Sequence, residues 1–278
     1  MLKIFLYTTF ALAAFAFNSI LCRMALRSEE ADAASFTSVR LISGAVMLAL
    51  IGYLFSKRSP IKNGGWASAF FLFAYAACFS FAYINLTAGT GALILFGSVQ
   101  VTMIAAALSR GEKPRLLEWL GLIAALGGLV YLVLPGLTAP PPVSSALMAA
   151  AGIAWGAYTL RGRGSGDPLG DTAGNFIRAV PMAVIVSVIF IPVFHLSNRG
   201  IVLAVLSGAV TSGIGYTVWY AALKHHTATR AAALQLSVPV LTAIIGILFL
   251  AEIASTRLMI AGALILGGIG LVIAGRKK

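Results

Sequence analysis

Long stretches of this chain run without a charged side chain, among them Ile4–Cys22, Gly200–Leu223, Ala231–Ala251 and Leu258–Gly275, each of 18 residues or more. A spanning helix needs about 20 mostly apolar residues to cross roughly 30 Å of hydrocarbon, so such runs leave few alternatives. Two longer runs must each hold a pair of spans. Asn63–Ser109 is interrupted at NLTAGTG (85–91), and Trp119–Leu160 at PGLTAPPP (135–142). Ala33–Phe55 and roughly 172–194 are also span-like, each with one arginine near an end, Arg40 and Arg178. The pattern predicts ten helices, at 4–25, 33–55, 65–85, 90–109, 117–134, 144–161, 172–194, 200–223, 229–250 and 257–275. A membrane β-barrel would instead show segments of about ten residues alternating apolar and polar. The fold class is all-α polytopic membrane protein, with no soluble domain.

Charge supports this and sets its orientation. The 278 residues are 60% hydrophobic and only 10% charged, against about 25% charged in soluble domains. The net charge of +12 suggests nucleic acid, but its distribution does not. Alternate ends of the ten spans carry 14 basic residues on one side, from Lys3 and Lys57 to Lys278, and four on the other (Arg23, Arg27, Arg199, Arg257). Basic residues stay cytoplasmic, so both termini are placed inside and nucleic acid is set aside. The first span resembles a signal peptide, and Ser19-Ile-Leu-Cys22 a lipoprotein box, but the apolar run is too long and further spans follow at once. Cys22 and Cys78 read as buried thiols, without metal-ligand spacing.

A shift of 140 residues lays Phe15-Ala-Phe-Asn18-Ser19 on Trp155-Gly-Ala-Tyr158-Thr159, Thr87-Ala88 on Thr227-Ala228, Glu112 on Glu252 and Leu126-Gly-Gly128 on Leu266-Gly-Gly268. The halves are read as repeats, 1–135 and 143–278. Each has five spans, an odd number, so the second must enter the membrane from the opposite side. Inverted repeats of this kind are common in secondary transporters, with the substrate near the midplane between them.

Pro239, in LQLSVPVLTA (234–243), lies inside the predicted ninth span and leaves the carbonyl of Gln235 without its usual donor. Broken backbone at membrane depth is tolerated where protein or a watery cavity supplies a partner. A packing kink is one reading. A hinge lining a cavity is preferred, because LFGSVQVTMI (95–104) in the other repeat sets Gly97 beside Ser98 and Gln100, as Ser237 and Gln235 stand near Pro239. Aromatic residues form a second set. Tyr75, Phe79 and Tyr83 share one helix face, Trp155 and Tyr158 another, and Tyr216, Trp219 and Tyr220 a third. Tyr and Trp also gather at membrane interfaces, which accounts for Tyr83, Tyr220 and Trp66 but not for the deeper Tyr75, Trp155 and Tyr216. Those faces either pack as core or wall a pocket for an aromatic or amphipathic solute. Asn18 needs an interhelical partner or water and serves as glue or ligand contact. Glycines 121, 127, 128, 262, 267 and 268 read as close packing or dimer contacts of helices five and ten.

Other chemistry is excluded. Gly162-Arg-Gly-Ser-Gly166-Asp lacks the strand and the Lys-Ser/Thr of a phosphate loop, and the chain contains no Gly-Lys pair. His195, His225 and His226 sit at helix ends, ungrouped, and no catalytic set shares a depth. No cofactor is expected. All eight carboxylates fall in loops or at helix ends; Glu252 is the nearest to a buried acid and reads as a cap for helix ten. Proton relays use buried titratable groups, so transport should not need a midplane acid.

Residues 226–275, HTATRAAALQLSVPVLTAIIGILFLAEIASTRLMIAGALILGGIGLVIAG, resemble the end of an EamA repeat of the drug/metabolite transporter superfamily. TAGTGALILFGSVQVTMIAAALSRGE (87–112) resembles a diverged copy that lacks the proline. Within the superfamily the overall pattern is most similar to the YddG-type amino acid exporters. The resemblance implies ten helices as inverted repeats, a multi-pass bacterial inner-membrane location, and a cavity formed by helices one, three, four, six, eight and nine. It implies export of aromatic and other amino acids, with efflux of aromatic cations as the alternative. On those helices the candidate cavity residues are Asn18, Tyr75, Phe79, Tyr83, Ser98, Gln100, Trp155, Tyr158, Tyr216, Trp219, Gln235 and Ser237, with hinges at Gly97 and Pro239. The expected partners are small-molecule substrate and lipid, the chain being a monomer or weak dimer.

Overall fold

The computed structural model describes residues 2–56, 63–109, 111, 115–134, 136, 139–162, 165–223, 225, 234–235 and 237–275. Without water, a backbone can satisfy its own polar groups only as helix or closed barrel, and this sequence takes the first course. The helices are α1 (Leu2–Arg27), α2 (Ala33–Ser56), α3 (Trp66–Tyr83), α4 (Ala88–Ser109), α5 (Leu116–Val133), α6 (Pro142–Gly162) and α7 (Pro168–Ile189), followed by a 3₁₀ turn at Ile191–Val193. The eighth is continuous but changes winding: α over Asn198–Val205, π over Leu206–Ile214 and α over Gly215–Leu223; together these are α8. Then come α9 (Ser237–Leu250) and α10 (Thr256–Gly275). Among the described residues nine helices are long and apolar enough to span a membrane, α9 being shorter, and the only strand-like pairing is one antiparallel bridge, Ala31 to Leu196.

Several expectations fall outside the described residues: the start of the ninth span at 229, Glu112, His226, and many of the topology-setting basic residues, including Lys57, Arg58 and Lys278.

The packing has a regular scheme. α1 lies against α8 and α6 against α3; α1 meets α9 and α6 meets α4; α2 pairs with α7, α4 with α9, and α5 with α10. Adding five to each helix number returns the same set of pairs. The α5–α10 contact is backbone to backbone. A Cβ on Gly268 would stand 2.5 Å from the Gly121 carbonyl oxygen, and one on Gly128 2.7 Å from Leu264 Cβ. Gly127 and Gly267 face open space instead, and Gly262 has room for a methyl.

The two expected weak points have the following settings. α4 passes Gly97 without a break, and a Cβ there would meet nothing closer than 3.7 Å. Pro239 lies near the start of α9 as described from Ser237, with Leu234 and Gln235 also helical ahead of it.

Candidate functional site

Between α1, α3, α4, α6, α7 and α8 lies a cavity of about 660 Å³, to which Gln235, ahead of α9, also contributes. Aromatic side chains wall its middle. The Trp155 ring stacks with Tyr158 and with Tyr216, centroids 5.4 Å apart in both pairs, and lies 4.8 Å from Tyr75. Phe15 meets Tyr216 and Trp219 edge-on at 5.7 and 5.8 Å. Four helices thus supply one π-lined surface. Gln100 and Gln235 add amides from α4 and from the approach to α9.

At one end the cavity stops against a polar layer. Asn18 Oδ1 accepts hydrogen bonds from Ser207 Oγ (2.7 Å) and Thr211 Oγ1 (3.3 Å), which fixes the amide so that Nδ2 donates to the Tyr75 hydroxyl oxygen at 3.3 Å. Arg40 Nη2 donates to the same oxygen at 3.1 Å. The π segment of α8 makes this layer possible. Its small residues bring Ser207 and Thr211 to α1, while Gly208 sits directly on the Arg40 carbonyl and Ser43 hydroxyl of α2, where a Cβ would collide. Single-turn π insertions are rare and often mark functional sites; here the winding extends over nine residues.

At the other end the cavity reaches the start of α3 and the junction of α6 and α7, lined by Gly65, Ser68, Arg161, Ser165 and Asp171. These groups are held locally: Arg161 Nε donates to Ser68 Oγ at 3.1 Å, and Asp171 accepts from the Gly64 N–H at 3.0 Å and from Ser165 Oγ at 2.5 Å.

Beyond the polar layer, the α3–α4 end is pinned shut. Glu252 accepts the Ala88 N–H, the first of α4, with Oε1 at 3.0 Å and Oε2 at 2.9 Å, and stands 3.5 Å from Arg23 Nε. Arg23 Nη1 donates to the carbonyls of Tyr83 (2.9 Å) and Ile84 (2.8 Å). Arg27 reaches the Leu250 carbonyl, and the Asp32 carboxylate accepts from the N–H groups of Ala34 and Ser35 in the first turn of α2 and from that of His195. The expectation for Glu252 is corrected here: it caps α4, whose N-terminus is brought to it by the fold, whereas Ser255 caps α10 through the Leu258 N–H.

Of the candidate residues, Asn18, Tyr75, Phe79, Gln100, Trp155, Tyr158, Tyr216, Trp219 and Gln235 line the cavity. Tyr83, Ser98 and Ser237 do not. Tyr83 closes α3 beyond the polar layer, fully buried, its hydroxyl donating to the Ala88 carbonyl and its ring lying against Gly91. A shared helix face says nothing of depth, and Tyr83 is one turn past Phe79, the last residue of α3 on the cavity. Ser98 packs on Gly152 of α6, and Ser237 Oγ donates to the Leu234 carbonyl. Gly97 and Pro239 do not line it either. Sequence reasoning missed Phe15, Thr211 and Ser212, and it took Arg40 for a residue near a span end. The signal for Phe15 was present in the repeat, since it aligns with Trp155.

The EamA-like transporter family model matches this chain twice, over residues 2–134 and 144–274. The uncharacterised protein PA1977 of Pseudomonas aeruginosa is 51% identical over 271 residues, 98% of this chain and 94% of that one. The uncharacterised transporter YwfM of Bacillus subtilis is 24% identical, covering 98% of this chain and 95% of its own. A WAT1-related chloroplastic protein of Arabidopsis thaliana is 26% identical over 84% of this chain and 61% of that protein. A crystal structure sharing 18% identity superposes with a TM-score of 0.71 over 99% of both chains, which speaks for the fold alone.

Proposed function

The chain belongs to the EamA-like transporter family, and from that premise we propose that it exports amino acids, aromatic and other apolar ones, from the bacterial cytoplasm by alternating access. The observation that carries this reading is the aromatic-walled cavity, about 660 Å³ in volume and ending in hydrogen-bonding groups. Sites for small molecules are typically 300–1,000 Å³, mostly apolar, with a few placed polar groups. Trp155, flanked by Tyr75, Tyr158 and Tyr216, offers faces for a flat or branched side chain.

The two repeats, 1–135 and 143–278, act in this reading as inverted halves. The packing scheme supports it: the most extensive helix pairs have counterparts five helices on, as expected for halves related by a two-fold axis in the membrane plane. With basic residues inside, the cavity mouth at Ser68 and Arg161 faces the cytoplasm and the Arg23–Glu252 end faces outward. Opening would bend α4 near Gly97 and α9 near Pro239. No cofactor enters this cycle, and the working unit is a monomer or weak dimer in the inner membrane.

Efflux of aromatic cations is the competing reading, favoured by the carboxylate of Asp171 at the mouth. That carboxylate already accepts two hydrogen bonds, from a backbone N–H and a serine hydroxyl. Purified protein in liposomes, assayed for uptake of radiolabelled phenylalanine and competed with amino acids and organic cations, decides between them. Amino acids are expected to move and to compete. If they do neither while cations do, the export reading is refuted.

A further inference from the structure

Among the described residues no carboxylate pairs with Arg40. It is 2% exposed, and neither ion pair found among the described residues includes it. Among the described residues Nε and Nη1 have no hydrogen-bond partner, and Nη2 has one, the Tyr75 hydroxyl. Two aromatic rings lie against it, the guanidinium carbon 5.2 Å from the Tyr75 ring centre and 5.0 Å from that of Phe79. Cation–π contacts offset part of the burial of a charge, but an ionised group in a membrane interior is costly and usually faces a pathway or a partner.

The hydrogen-bond directions show where that charge is felt. The Tyr75 oxygen accepts from both Asn18 Nδ2 and Arg40 Nη2. Its own proton is therefore the one left to give, and two donors on the oxygen make the hydroxyl a stronger donor. Tyr75 lines the cavity. The side chain that meets a bound solute at this end is thus a donor backed by an unneutralised cation.

We propose that Tyr75 and Arg40 form a carboxylate-binding end to the cavity: the Tyr75 hydroxyl donates to the anion, and Arg40 supplies the compensating charge from behind it. Tyr75 is the contact residue and Arg40 a positioning residue acting through it, with Asn18 locking the hydroxyl orientation. This rests on the amino acid reading above and deepens it, assigning the ligand's acid group to the blind end and its side chain to the Trp155 wall.

The test uses full-length protein in liposomes and four competitors of radiolabelled phenylalanine: phenylalanine itself, its methyl ester, phenethylamine and 3-phenylpropionate. Wild type should prefer phenylalanine over its ester by about tenfold or more, the size of one charge-assisted hydrogen bond. Tyr75→Phe should raise the half-saturation concentration for the acid by a similar factor, leaving the ester unchanged. Arg40→Gln should act as Tyr75→Phe does, and Arg40→Lys should restore most of the preference. Equal inhibition by acid and ester in wild type, or equal weakening of both in Tyr75→Phe, overturns the assignment while leaving amino acid export intact. Should phenylalanine not be transported, the same compounds are scored by quenching of tryptophan fluorescence, for which Trp155 lies 4.8 Å from Tyr75. Quenching by 3-phenylpropionate but not by phenethylamine, lost in Tyr75→Phe, then upholds the anion end and discards the amino acid. Quenching by phenethylamine alone refutes both.

Discussion

Glu252→Ala should unlock the α3–α4 end. In the structure this carboxylate holds three things together: it terminates α4 through the Ala88 N–H, it faces Arg23 of α1, and it tethers the segment after α9. The two side chains are only 12% and 7% exposed, so solvent screening is weak. Breaking a buried ion pair costs about 3–5 kcal/mol, but here a lower figure applies. The approach is 3.5 Å through Nε alone, and Arg23 retains the Tyr83 and Ile84 carbonyls as acceptors. A charge-assisted hydrogen bond to a helix N-terminus is worth about 1.5–3 kcal/mol. About 2 kcal/mol is the working value, roughly a 30-fold shift away from the closed end. The chain carries its own reporter, since Cys22 is fully buried one residue from Arg23. In a Cys78→Ala background, alkylation of Cys22 by a membrane-impermeant maleimide should accelerate by about that 30-fold factor in Glu252→Ala. Glu252→Gln, which keeps an oxygen for the Ala88 N–H, should fall between. An unchanged rate in a folded Glu252→Ala protein would refute the idea that this pair holds the end shut.

Further tests follow from the same geometry. Glu252→Gln should still transport without an imposed pH gradient; proton-dependent flux lost in that variant would make this carboxylate a proton carrier. Trp155→Leu removes stacking worth about 0.5–1.5 kcal/mol per aromatic pair, so the half-saturation concentration for aromatic substrates should rise several-fold more than for leucine. Pro239→Ala and Gly97→Ala, neither of which meets a steric obstacle, should slow turnover while leaving thermal stability nearly unchanged; unaltered flux in both would remove the hinges. Gly268→Leu drives a side chain into the Gly121 carbonyl and should destabilise the protein by about 1–3 kcal/mol, read as a lower melting temperature in detergent.

The spans were legible because hydrocarbon imposes a length and a composition on every crossing segment. The aromatic cavity was partly legible for a different reason: Tyr75 with Phe79, and Trp155 with Tyr158, repeat at helical spacing too deep for an interfacial belt. What spacing does not encode is depth and partner. Tyr83 continues the Tyr75 stripe yet lies past the cavity, and Ser98 faces α6 although Gln100, two residues on, faces the solute space. Arg40 looked like a residue near a span end because one arginine in a hydrophobic run carries no record of whether an acid meets it. The π winding of α8 was equally hidden, since LSGAVTSGI is as compatible with an α-helix until Asn18 and the Arg40 carbonyl compete for its small residues. Glu252 could not be assigned to α4 without knowing which N-terminus the fold would bring to it.

The glycine seam between α5 and α10 has a consequence of its own. Neither helix contributes a residue to the cavity, while Ile123, Val130, Met259 and Leu264 present apolar side chains outward. Recognition and scaffolding are therefore borne by separate parts of the chain. A chimera that exchanges this pair of helices with that of another transporter should keep its own substrate preference. Conversely, selection for new solutes can rework the walls of α1, α3, α6 and α8 without loosening the mast to which they are fastened.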